Sequence, residues 1–186
     1  MRVFITVLVL IFSLQSWTKA DDIRDFEIEG MSIGDSLLDY FSEGEIKKAN
    51  DESYEDRLFI TKTIVETNSN LYEGYQFTYK ESDKKKILHN INGVIEYPNK
   101  IKECKKEVKK IVSQLSLIFP GAVKNDWGKL NTNNGGYYFP VTFDFEDSAR
   151  AMVACYDWSK ESGIPVNLKV TLYSAEYSEY LKKKNR

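Results

Sequence analysis

The chain has 186 residues, with 26 Lys and Arg against 28 Asp and Glu, 42% hydrophobic and 13% aromatic residues, two Cys and one His. So apolar a chain at net charge −2 is not disordered, and without a basic excess it has nothing to neutralise the phosphates of a nucleic acid. One histidine leaves no multi-histidine metal site, and the length suits one domain or two small ones.

Met1-Arg2 gives a positive start, and Val3 to Leu14 is an almost unbroken apolar run. Thr18 and Ala20 stand at the −3 and −1 positions of a small-residue cleavage site. Residues 1–20 therefore read as a secretory signal peptide, and the mature domain as 21–186. The apolar run is shorter than the roughly 20 residues that span a bilayer, and no later run is longer. No Cys follows it, so no lipid anchor is expected. Cleavage removes Arg2 and Lys19 but no acid, so the mature chain is more acidic than the whole. The expected location is periplasmic or secreted, and an oxidising compartment makes Cys104 and Cys155 a disulfide.

Asp25 to Glu29 is a short linker or edge strand. Ser32 or Asp35 can cap a first helix ahead of Leu37-Leu38. Ser42 caps a second, Glu43 to Asn50, with Glu45 completing a capping box. Leu58 to Val65 is rich in β-branched residues and reads as a strand. Tyr75, Phe77 and Tyr79 alternate with polar residues in a second strand. Ile87, His89, Ile91, Ile95 and Tyr97 share one parity in a third, where Gly93 suggests a bulge.

Pro98-Asn99 opens a long helix and Pro120-Gly121 closes it. Ile101, Cys104, Val108, Ile111, Val112, Leu115 and Phe119 form its apolar stripe, and Lys100, Lys102, Lys105, Lys106, Lys109 and Lys110 its solvated face. Ala122 to Gly136 reads as a loop. Tyr137 to Phe145 is a strand in which Pro140 marks an edge or a bulge. Ala149 to Trp158 and Val166 to Leu172 are two more strands, and Ala175 to Lys184 is a short helix or a basic tail. The fold class is α+β. Antiparallel sheet is packed by helices in the order ααβββ-αβββ plus a short C-terminal helix, with two similar halves at about 25–97 and 98–175. A Cys104–Cys155 bridge pins the long helix to the middle strand of the second half.

Few residues point to chemistry. Gly34-Asp35-Ser36-Leu37 resembles the nucleophile block of the GDSL esterases and lipases, which implies Ser36 as a nucleophile activated by a histidine. That family carries an Asp three residues before its His. Here His89 lies mid-chain with Lys86 at that position, and a Gly-x-Asn-Asp oxyanion block is lacking. The Gly34 turn with a helix cap at Asp35 or Ser36 therefore accounts for the motif, and no catalytic residue is assigned. Asp144, Glu146 and Asp147 cluster on a hairpin turn, where solvated acids are usual. No EF-hand, Walker or zinc spacing occurs, so neither metal nor cofactor is expected. Tyr138, Tyr156 and Trp158, on strand faces opposite the core, form either a binding patch or a second core layer.

Two family resemblances complete the reading. The stretch Asp25-Phe26-Glu27-Ile28-Glu29-Gly30-Met31-Ser32-Ile33-Gly34-Asp35-Ser36-Leu37-Leu38-Asp39-Tyr40-Phe41, with Cys155-Tyr156-Asp157-Trp158, resembles a family of uncharacterised exported bacterial proteins. It implies export and a shared fold, and brings no activity. The α-α-β-β-β order is similar to that of the small outer-membrane assembly lipoproteins and the tandem β-lactamase-inhibitor proteins, and Gly30-Met31-Ser32 to their Gly-Met-Ser/Thr helix start. The expectation is a non-enzymatic exported protein that contacts an envelope protein partner. A Ser36 esterase and a small-ligand binder between sheet and helix are the alternatives.

Overall fold

The computed structural model describes residues 22–65, 69–132 and 135–184, and the signal peptide assigned to 1–20 lies outside them. Three helices and nine strands follow one another: α1 (Glu43–Lys48), β1 (Asn50–Asp51), β2 (Phe59–Val65), β3 (Gly74–Lys80), β4 (Asn90–Glu96), α2 (Ile101–Ile118), β5 (Val123–Asp126), β6 (Leu130–Asn131), β7 (Gly136–Asp144), β8 (Arg150–Trp158), β9 (Asn167–Tyr173) and α3 (Ala175–Lys184). All nine strands join one antiparallel sheet in the order β1-β2-β3-β4-β9-β8-β7-β5, with β6 also on β7. The mixed α+β class and the antiparallel pairing follow the sequence pattern, but the element order differs from it.

The first expected helix is a single 3-10 turn, Leu37–Asp39, capped by Ser36 rather than by Ser32 or Asp35. Asp35 cannot cap it, because its Oδ2 accepts from Ser32 N at 2.8 Å and from Tyr40 Oη at 2.7 Å. The turn cannot lengthen, because Ser42 opens α1 three residues after it ends. There the Ser42 hydroxyl accepts from Glu45 N while the Glu45 carboxylate accepts from Ser42 N, as the capping box requires.

The stretch 122–136 is not a plain loop, since β5 and β6 both pair with β7. Two partners on that side also mean that β7 is no edge strand. Pro140 is tolerated because its missing N–H falls opposite the break between β5 and β6, where its carbonyl accepts from Trp127 N at 3.1 Å. Gly93 makes no bulge. It keeps the β4 register with Tyr75 and Val170, and a Cβ there would lie 2.3 Å from Cε1 of Tyr72. The glycine is what lets the Tyr72 ring lie on the strand.

The two strand triplets β2-β3-β4 and β7-β8-β9 meet where β4 pairs with β9, so one apolar face runs across both. Phe77, Ile91, Leu172, Val153, Leu168 and Phe143 are fully buried on it. The N-terminal segment and α1 cover the β2–β4 half through Ile28, Met31, Leu37 and Ile46, and α2 covers the β8–β9 half through Cys104, Val108 and Leu115. Phe26 packs edge-on against Phe119 at 5.4 Å and joins the two covers. Cys104 and Cys155 are at disulfide distance, with Cα atoms 6.0 Å apart across 51 residues of chain. Among the described residues no helix is long and apolar enough to cross a membrane.

Two outcomes are expected. Denatured, unreduced protein will show no titratable thiol, and reduction will cost roughly 2–5 kcal/mol of stability in denaturant melts; two free thiols would exclude the bridge. Gly93→Ala will lower stability by about 1–3 kcal/mol, because the added methyl overlaps the Tyr72 ring. An unchanged melting temperature would show that the ring moves aside freely.

Candidate functional site

The Gly34-Asp35-Ser36-Leu37 motif folds into a tie between the N-terminal segment and the start of β4. Gly34 takes φ +98°, a left-handed conformation that favours glycine, and its N–H donates to Leu88 O. Ser36 Oγ donates to Lys85 O at 2.7 Å and accepts from Leu38 N. His89 Nδ1 lies 3.0 Å from Ser174 Oγ, and its ring packs edge-on against Phe59. The structure thus engages Ser36 and His89 with different partners and aligns no serine–histidine hydrogen bond.

His89 instead holds α3. Ser174 Oγ accepts from Tyr177 N, and Glu176 pairs with Lys80 at 2.6 Å. Tyr177 and Tyr180 then close over Phe59, so α3 covers one end of the sheet face turned away from α2. The residues taken as solvated acids also divide. Asp144 is half-buried, pairs with Arg150 and accepts from Asn125 Nδ2 and Thr142 Oγ1, while Glu146 and Asp147 are exposed, Asp147 accepting from Ala149 N in the turn.

The rest of that outer face carries two features. On β2–β4 a polar row runs inward from the exposed carboxylate of Glu52. Thr63 Oγ1 and Gln76 Nε2 donate to Glu52, Asn92 Nδ2 donates to Gln76 Oε1 and Asn90 Oδ1, and Asn90 Nδ2 donates across to Leu172 O of β9. On β7–β9 an aromatic column stands beside it. The Tyr138 and Tyr156 rings stack at 5.2 Å and 9°, and Tyr156 and Trp158 at 5.2 Å and 12°. All three are half-buried. Burial pushes the Tyr156 phenol up, with a smaller push from Tyr138. The aromatics therefore form one stacked, half-buried column on the face that their sequence parity marks.

Lys169 of β9 lies between these two features. Its register partners are Val94 and Ala154, and its Nζ lies 5.2 Å from the Tyr156 ring centroid and 5.9 Å from that of Trp158. Burial holds this ammonium below its ordinary value, and the charge of Glu52 only partly offsets that. Trp158 Nε1 and Asn167 Oδ1 are buried close by with no hydrogen-bond partner among the described residues.

The chain matches no protein-family model, no curated protein and no solved structure. The site is therefore read from its geometry alone. Among the described residues no group of three His, Cys, Asp or Glu is placed to hold a metal ion. Two open clefts, of about 620 and 560 Å³, flank α1 where it meets β2 and β3. Glu29 lines the first, where its carboxylate accepts from Ser69 Oγ and Tyr75 Oη. Lys105, expected in a solvated row, lies 3.2 Å over the Phe139 ring.

Burial holds the His89 imidazolium below its ordinary value of 6.5, Lys80 adds to this, and Glu176 opposes it. The unfolded chain therefore binds that proton more readily than the folded one. The stability it contributes is full above about pH 6.5 and falls as the pH drops below it. Urea melts at about pH 7.5 and about pH 5.5 will show the loss, and His89→Gln will reduce it. An equal pH dependence in the variant would assign the effect to other groups.

Proposed function

We propose that this is an exported, non-enzymatic protein that works by protein–protein contact, and that it docks its partner on the outer sheet face left uncovered by α3. The observation that carries this reading is the half-buried stacked column of Tyr138, Tyr156 and Trp158. Tyr, Trp and Met are residue types enriched where proteins meet: Tyr and Trp bring large contact area for little rotamer entropy, and Met adapts to irregular surfaces. Met152 lies on the same face, as the register partner of Thr142 and Thr171. A sheet face this aromatic is usually covered by a second layer. Here α3 supplies one only at the Phe59 end.

Export is supported by the N-terminal pattern together with the cysteine pair at bonding distance. The expected partner is another protein of the cell envelope, or one met outside the cell. The test is capture of envelope proteins on the immobilised protein, compared with a Tyr156→Ala/Trp158→Ala variant of matched thermal stability. Loss of the captured protein by the variant is expected, at a cost of roughly 2 kcal/mol or more. Equal capture by both would remove this face as the docking surface.

A further inference from the structure

The other cations on the outer face have acidic partners: Arg150 pairs with Asp144, and Lys80 with Glu176. Lys169 does not. Among the described residues its Nζ has no carboxylate within ion-pair distance and no hydrogen-bond acceptor. Glu52 is the carboxylate felt there, but its oxygens serve Thr63 and Gln76. Glu96 stands diagonally across β4 on the same face and also stays beyond ion-pair distance. A half-buried ammonium over aromatic rings gains some cation–π energy, yet without a counter-charge it loses hydration that nothing replaces. Trp158 Nε1 is buried in the same place, also without an acceptor among the described residues.

We propose that Lys169 is the recognition point of the docking face, and that it receives the carboxylate of an Asp or Glu side chain of the partner protein against the Tyr156–Trp158 wall. This rests on the docking reading above and adds the partner's chemistry. A lone lysine is a single point charge, which one carboxylate neutralises, whereas a phosphate brings close to two negative charges and would leave the second unmatched here. The charges agree in scale, because one unpaired cation calls for one acid rather than an acidic tract.

A random peptide library displayed on phage and selected on the purified protein tests this. Lys169→Met, Lys169→Arg and Trp158→Ala variants are first matched for thermal stability. Enriched peptides are expected to need an Asp or Glu, to lose roughly tenfold or more in affinity on Lys169→Met, and to keep most of it on Lys169→Arg. Peptides that depend on Trp158 but bind Lys169→Met equally well, or that carry no required acid, would overturn the carboxylate assignment and leave the docking face standing. A selection with no Trp158-dependent peptide would overturn both.

Discussion

The pairing of β4 with β9 is the constraint on which the rest of the molecule depends. It joins Asn90–Glu96 to Asn167–Tyr173 over the whole of α2 and β5 to β8, and Asn90 reinforces it by donating to Leu172 O. Without it there would be two separate sheets, β1-β2-β3-β4 and β9-β8-β7 with β5 and β6, each with an apolar side too narrow to bury well. With it, Ile91 and Leu168 to Leu172 form the middle of a single core. The same pairing brings α3, which follows β9 directly, back over β2. It also puts Lys169 beside Val94, between the polar and the aromatic halves of the outer face.

The two faces of the sheet differ because their covers differ. The inner face is covered along its length by the N-terminal segment, α1 and α2, so its positions are almost all apolar. Among the described residues the outer face is covered only by α3 and is otherwise built of threonines, amides and tyrosines that satisfy one another or stack. Buried polar groups on such a face must find partners, and most do. Four buried side-chain atoms have no partner among the described residues: Thr171 Oγ1 and Ser178 Oγ are two, and the other two, Trp158 Nε1 and Asn167 Oδ1, fall beside the aromatic column, where a lysine also lacks its counter-charge. Several independent shortfalls in one small area are a stronger functional signal than any of the short motifs.

In the tetrapeptide Gly34-Asp35-Ser36-Leu37 the glycine, the aspartate and the serine each make an architectural contact. Its glycine supplies a left-handed turn, its aspartate holds Ser32 and Tyr40, and its serine caps a 3-10 turn while binding Lys85 O. The lone histidine has a comparable structural duty at the start of α3. Both residue types were visible in the sequence, but the hydrogen bonds that occupy them join segments about 50 and 85 residues apart. Local pattern cannot show which long-range partner a hydroxyl or an imidazole will meet.

Local sequence by itself determined the six long strands, through periodicity and, for β2, β-branched content; α1 through its capping box; and α2 with the apolar stripe that carries Cys104. It also fixed the parity that sends Cys155 inward and Tyr156 and Trp158 outward. Side-chain direction repeats every two residues in a strand and about every 3.6 in a helix, so one stretch of chain suffices to read it. Strands as short as β1, β5 and β6 escaped, because two to four residues give no period and only a partner strand makes them strands. The join between the two halves, the true reason for Gly93 and the setting of Lys169 were decided only by the tertiary structure. Register is a relation between distant segments, set by which apolar faces must be buried together, and no window of sequence contains it.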